Sequence, residues 1–143
     1  MTARFYLVRH AKAEASAPGG DAARHLTPAG RAAFSAAVRA LAGEVRLTRI
    51  LTSPFTRARE TAALLAQATG APVEEDARLA SGASGGRALL ALGAALGEGV
   101  ALVGHNPEIA EAVALAGGQA AEVPPGTVAA VGTDGRLVWL KAR

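Results

Sequence analysis

Phe5-Tyr6-Leu7-Val8-Arg9-His10 is a short apolar run that stops on a cation and an imidazole. A run of this length, rich in β-formers and apolar at every position, reads as a strand buried on both faces, the signature of a parallel sheet. Two later segments repeat the design. Ile50-Leu51-Thr52-Ser53-Pro54 is followed by Arg57, and Val100-Ala101-Leu102-Val103 leads into Gly104-His105-Asn106-Pro107. In open α/β sheets, ligands bind beyond the carboxyl ends of the strands. Three such ends would gather two arginines and two histidines at one sheet edge, a set suited to an anion.

The segments between these runs complete the fold class. Thr27-Pro28 is a helix start, with Thr as N-cap and Pro at the first helical position. Phe34, Val38 and Leu41 follow at helical spacing, and Gly43 is the expected stop near Ala42. Ser53-Pro54 reads as a second cap, opening a helix through Leu64 and Leu65 to Thr69, with Gly70 as its end. Pro72 to Glu74 is a brief strand, Arg87 to Leu96 a third helix, and Asn106-Pro107 opens a fourth that reaches about Leu115. His10 to Leu26 and Leu79 to Gly86 read as loops, and Pro124-Pro125-Gly126 as a rigid turn. Thr127–Val131 and Leu137–Lys141 flank Thr133-Asp134-Gly135, a hairpin signal. The alternation implies an α/β fold. The expected form is a three-layer α/β/α sandwich whose central sheet is mostly parallel with an antiparallel C-terminal edge.

Composition sets limits. The 143 residues suit a single domain over 1–143. Half are hydrophobic and only 3% aromatic, so the core must be aliphatic. The chain has no cysteine, which excludes disulfides, thiolate metal sites and a cysteine nucleophile. Gly93, Gly97, Glu98 and Gly99 break the longest apolar stretch, and the N-terminus lacks a signal-peptide pattern, so a cytoplasmic protein without a membrane span is expected. The net charge is +3 and the pI about 10.2. The basic residues are scattered rather than clustered, which favours solvated charge over a nucleic-acid surface.

The candidate chemistry follows from residue type. A neutral imidazole at His10 can accept a phosphoryl group and release it to water. Guanidinium forks at Arg9 and Arg57 match the equatorial oxygens of a transferring phosphoryl group. Arg59 lies two residues further along the same helix and faces elsewhere. The plain alternative for Arg57 is a surface pair with Glu60 at i+3. His105, ahead of a helix N-terminus, can donate to an anion. His25 could touch phosphate or substrate but reads at least as well as a surface or supporting residue; Ser53 and Thr56 are candidate phosphate donors, with helix capping the preferred reading for Ser53. His and Asp residues at metal-ligand spacing are too few for a metal site, and no cofactor is implied.

Four segments resemble the histidine phosphatase superfamily, which includes the phosphoglycerate mutases. They are Leu7-Val8-Arg9-His10-Ala11, Leu26-Thr27-Pro28-Ala29-Gly30-Arg31, Thr52-Ser53-Pro54-Phe55-Thr56-Arg57-Ala58-Arg59-Glu60-Thr61-Ala62 and Val103-Gly104-His105-Asn106-Pro107. The resemblance implies His10 as the phosphorylated nucleophile, with Arg9, Arg57 and His105 completing the phosphate pocket. The short chain and Arg9-His10-Ala11-Lys12-Ala13-Glu14 are similar to the bacterial SixA-type phosphohistidine phosphatases. Ala11 stands where many members have Gly. The mutase-like members carry an acid in a Leu-x-Glu pattern after the third strand, whereas this chain has Leu79-Ala80-Ser81. A proton donor would then come from Glu14 or Asp21, or be unnecessary, as it is for a phosphoramidate whose nitrogen is already protonated. The resemblance thus implies a metal-independent phosphatase acting on protein phosphohistidine, with oxyanions such as phosphate or sulfate held in the pocket. A small-molecule phosphomonoesterase and a non-catalytic phosphate-binding module stay open beside it.

Overall fold

The computed structural model describes residues 3–141. Six strands form one sheet: β1 Arg4–Arg9, β2 Arg49–Thr52, β3 Val73–Glu75, β4 Val100–Gly104, β5 Val128–Gly132 and β6 Leu137–Lys141. Their spatial order is β3-β2-β4-β1-β5-β6. The first four are parallel, whereas β5 runs antiparallel to β1 and β6 antiparallel to β5. The helices are α1 Pro28–Leu41, α2 Thr56–Thr69, α3 Gly86–Leu96 and α4 Glu108–Gly117. This is the expected three-layer sandwich with an antiparallel C-terminal edge.

The layers follow from the two-residue alternation of the strands. Tyr6 and Val8 face one way, with Ile50, Ala101 and Val103, and pack against Phe34, Val38 and Leu41 of α1 and Ala58, Ala62 and Leu65 of α2. Phe5 and Leu7 face the other way, with Leu51 and Leu102, and meet Leu89 of α3 and Ile109 and Val113 of α4. Leu102 is fully buried and pairs with Leu7 on one side and Leu51 on the other. Truncating such a residue to Ala costs ~2–5 kcal/mol, from lost burial plus the cavity left behind.

Two glycines fix how closely layers approach. A Cβ on Gly93 would stand 2.1 Å from the Phe5 ring, so α3 can lie on the sheet only with Gly there. A Cβ on Gly30 would stand 2.3 Å from the Lys12 carbonyl oxygen. Gly30 therefore lets the start of α1 close on the segment that follows His10. Thr27 caps α1 as expected, its side chain accepting from Gly30 N at 2.9 Å. Lys12 O also accepts from Thr27 N at 3.0 Å.

Several boundaries differ from the sequence reading. Helix α2 begins at Thr56 rather than directly after Ser53, and α4 begins at Glu108. Strand β3 lies one residue later than expected. The segments read as loops hold single 3₁₀ turns at Asp21–Ala23 and, overlapping the second, at Ala77–Leu79. Helix α1 ends at Ala42 in a right-handed conformation, so Gly43 does not act as a left-handed stop, whereas Gly70 does so for α2 at φ 79°. Among the described residues, no helix is long and apolar enough to cross a membrane.

Candidate active site

Strand order places the site. Because β4 lies between β2 and β1, the residues that follow these three strands stand side by side: Ser53, His105 and His10. The backbone ties continue past the strands. His10 N donates to Gly104 O at 3.0 Å, and Ser53 N to Val103 O at 3.0 Å. Gly126 N, in the Pro124-Pro125-Gly126 turn, is shared between Arg9 O at 3.2 Å and His10 O at 3.0 Å.

His10 is 6% exposed. Its Nδ1 lies 2.7 Å from Ala11 O. A carbonyl can only accept, so Nδ1 carries the proton and Nε2 keeps its lone pair. Arg57 Nε–H donates to that Nε2 at 3.3 Å. Burial, helped by the cationic Arg57 and Arg9, pushes the imidazole pKa down to about 4. Helix α2 holds the backbone here through Thr61, whose hydroxyl accepts from Ala11 N at 3.0 Å and donates to Arg57 O at 2.8 Å.

Arg57 is 4% exposed, so the surface pairing with Glu60 does not occur. Its Nη1 donates to Asp21 O at 2.7 Å, and its Nη2 lies 3.2 Å from Asp21 Oδ2. Its guanidinium stands 5.2 Å from the centroid of the Phe55 ring. Glu60 instead accepts from Leu26 N at 2.8 Å and pairs with His25 Nδ1 at 2.8 Å and Arg31 at 3.4 Å. His25 is therefore exposed and spent on Glu60, its pKa raised by that hydrogen bond. Arg59 leans on the exposed Glu75 at 3.8 Å. Thr56 accepts from Arg59 at 3.3 Å.

Arg9 donates through Nη1 to Val123 O at 3.0 Å. Its Nε is buried without a partner among the described residues. Burial, with Arg57 beside it, holds its pKa below the usual guanidinium value. His105 is 3% exposed, its ring centroid 5.2 Å from that of His10 and 5.1 Å from that of Phe55. Burial pushes its pKa down to about 3, with His10 and Arg57 adding to the shift. Its Nε2 lies 2.8 Å from Ser53 Oγ, and its Nδ1 is buried and has no partner among the described residues.

Ser53 corrects the sequence reading. It is fully buried and does not cap α2, whose N-cap is Phe55 with no side-chain bond. Its hydroxyl accepts from Phe55 N at 3.1 Å, closing a local turn, and reaches His105. The two candidate proton donors differ in place. Asp21 sits on Arg57, and hydrogen bonds from Arg24 and Arg57 hold its carboxyl below the usual range. Glu14 accepts from His25 N at 3.1 Å, on the exposed side of the first loop.

The arrangement therefore holds two guanidinium groups, one imidazole whose unprotonated Nε2 accepts from Arg57, and a second buried imidazole. It can bind a tetrahedral oxyanion through N–H donors while an Nε2 lone pair stands beside it. Among the described residues, no three His, Cys, Asp or Glu side chains come together as a metal site.

Comparison with known proteins gives the family and the fold. A solved structure from Agrobacterium tumefaciens, provisionally named the phosphohistidine phosphatase SixA, is 28% identical with a TM-score of 0.87, over 100% of this chain and 99% of that one. The protein histidine phosphatase SixA, solved with tungstate, is 23% identical with a TM-score of 0.85, over 97% and 96% of the two chains. A mycobacterial glucosyl-3-phosphoglycerate phosphatase, solved with VO3, shares the fold at 17% identity and a TM-score of 0.66, over 99% and 100%. No curated protein matches the sequence. The family model for the histidine phosphatase superfamily, branch 1, matches residues 5–86. The chain belongs to that superfamily and is a phosphatase hydrolase.

Proposed function

We propose that this protein, acting as one domain over residues 1–143, dephosphorylates protein phosphohistidine without a metal, through a phosphohistidine formed on His10. The observation that carries the reading is the hydrogen bond from His10 Nδ1 to Ala11 O, which leaves Nε2 as the nucleophile. The Nε2 lone pair attacks phosphorus, and the P–N bond to the substrate imidazole breaks. That imidazole leaves neutral, carrying the proton already on its ring. Water then attacks the phosphoryl group on Nε2, and the P–N bond to His10 breaks to give inorganic phosphate. Arg9, Arg57 and His105 supply the donors that hold the equatorial oxygens in both steps.

The leaving group favours this substrate. General-acid help is worth about 10²–10⁴-fold, and an alkoxide needs it far more than a protonated imidazole does. Ser81 stands where an acid would follow β3, and Asp21 is held ionised by Arg24 and Arg57. The relatives named as phosphohistidine phosphatases, one with tungstate bound, support the same class of ligand.

A small-molecule phosphomonoesterase is the second reading, and Glu108 favours it. This side chain lies three residues past His105 and is 8% exposed. Its Oε2 accepts from Gly82 N at 2.5 Å, in the loop beyond β3, and its Oε1 is buried without a partner among the described residues. The test is kcat/KM for a phosphohistidine protein, an aryl phosphate and alkyl monoesters, with trapping of a radiolabelled phosphoenzyme. Fast turnover of the first two substrates through a His10 phosphoenzyme is expected. Alkyl esters cleaved as fast would give the second reading the lead, and turnover without a phosphoenzyme would overturn the covalent route through His10.

A further inference from the structure

We infer that Ser53 sets the tautomer of His105, so that His105 presents an Nδ1–H donor to the substrate oxyanion. A serine hydroxyl has one hydrogen to give and lone pairs to receive. Ser53 Oγ is fully buried and has two neighbours within hydrogen-bond distance. Phe55 N, at 3.1 Å, can only donate. His105 Nε2, at 2.8 Å, is the one group that can accept. Were Nε2 protonated, it too would donate to Oγ, and the serine hydrogen would be buried without an acceptor. With an oxyanion against Nδ1, the Nδ1–H form pairs every hydrogen, whereas the Nε2–H form leaves the serine hydrogen unpaired and turns a lone pair toward the anion, a difference large enough to decide between two tautomers of similar intrinsic energy. The serine therefore gives its hydrogen to Nε2, and the imidazole proton resides on Nδ1.

The other end of the ring is where the oxyanion enters the count. His105 Nδ1 is buried and has no acceptor among the described residues. It belongs to a ring packed 5.2 Å from that of His10. As Nδ1–H it adds a neutral donor to those of Arg9 and Arg57. As a bare nitrogen it would present a lone pair to an anion and repel it. Ser53 is thus a positioning residue, acting through His105 from the end of β2. The hydrogen-bond count rests on an oxyanion occupying the pocket, and its consequence for phosphoryl transfer rests on the reading above.

The tautomer can be read without turnover. Long-range ¹H–¹⁵N correlation spectra of the labelled protein near pH 7, saturated with tungstate, distinguish Nδ1–H from Nε2–H. The chain has only three histidines, so a His105→Asn spectrum assigns the signal. The expected wild-type result is the Nδ1–H form, and an Nε2–H form would overturn the proposal. Ser53→Ala should shift His105 toward Nε2–H and lower kcat/KM by about tenfold or more. An unchanged tautomer in that variant would also refute the role of Ser53. An Nδ1–H spectrum without a phosphoenzyme would strike the proposed chemistry and leave the tautomer assignment standing. An Nε2–H spectrum with a phosphoenzyme would do the reverse.

Discussion

Arg57 Nε donates to His10 Nε2 across 3.3 Å, so the cation of one element rests on the lone pair of another. The contact aims the imidazole and disfavours its protonation. It must also loosen as Nε2 bonds to phosphorus, freeing a guanidinium N–H for the phosphoryl oxygens. Attack and charge stabilisation are thereby coupled in one residue pair.

Replacing His10 by Ala should remove turnover by orders of magnitude and abolish the trapped phosphoenzyme, while circular dichroism stays native. The fold should survive, since His10 lies at the end of a strand and its imidazole is costly to bury. Phosphoramidate hydrolysis near the wild-type rate in this variant would refute the nucleophile assignment.

Arg57→Ala should lower kcat/KM by ~10²-fold, the scale of losing a charge-assisted hydrogen bond. It should also move the acid limb of the pH profile upward, because the guanidinium contributes to holding the His10 pKa down. Steady-state rates between pH 3.5 and 7.5 test both effects together. A lower rate with an unmoved limb would show that Arg57 binds substrate without tuning His10.

The wild-type kcat/KM should hold on the acid side until about pH 4, where His10 in the free enzyme gains its proton. Stability carries the same sign. Both His10 and His105 have folded-state pKa values below the ordinary 6.5, at about 4 and about 3. The unfolded chain then binds more protons between those limits. Stability is complete above pH 6.5 and falls as pH drops through 4, by roughly 3 kcal/mol for His10 alone. Urea unfolding at pH 7 and pH 4 measures this, and equal midpoints would contradict it.

Asp21→Asn should leave alkyl-ester turnover no lower than wild type, because the carboxyl is ionised and has no proton to give. Removing its charge from Arg57 should strengthen tungstate or phosphate inhibition by about two- to fivefold, the range for an exposed ion pair. A collapse of alkyl-ester turnover in this variant, or in Glu14→Gln, would identify the first loop as the acid.

Chelation should leave activity unchanged, because no step in the proposed route uses a metal. The check is turnover after dialysis against a chelator. Recovery on adding a divalent ion would overturn the metal-independent route.

The strand ends were legible because each run is apolar at nearly every position and stops on a polar residue. Hydrophobic period and chain order then fix the sheet edge on which Arg9, His10, Arg57 and His105 converge. Ser53 was not legible. A Ser-Pro pair carries a strong local cap signal, whereas its partner His105 lies 52 residues away. The one hint was its place beside Thr52 at the end of a buried run. Asp21 shows the same limit. A loop built on Pro18-Gly19-Gly20 gives no register, so only the folded chain shows it closing on Arg57. Glu60, at i+3 from Arg57, was the local choice, and long-range contacts with Leu26 and His25 took it instead.

The order β2-β4-β1 means that the last of these strands to be made is the one in the middle. Residues before Val100 include Arg9 and His10 at the end of β1 and Ser53 just past β2, yet these two strands share no edge and are joined only when β4 enters between them. That insertion closes a loop of nearly the whole preceding chain, a contact of high sequence separation and so a slow one. The pocket is complete only when β4 is in place, because His105 follows that strand and the ends of β1 and β2 are hydrogen-bonded to it. Return of phosphatase activity after dilution from denaturant would therefore time the arrival of the central strand, making catalysis a clock for the step that completes the sheet.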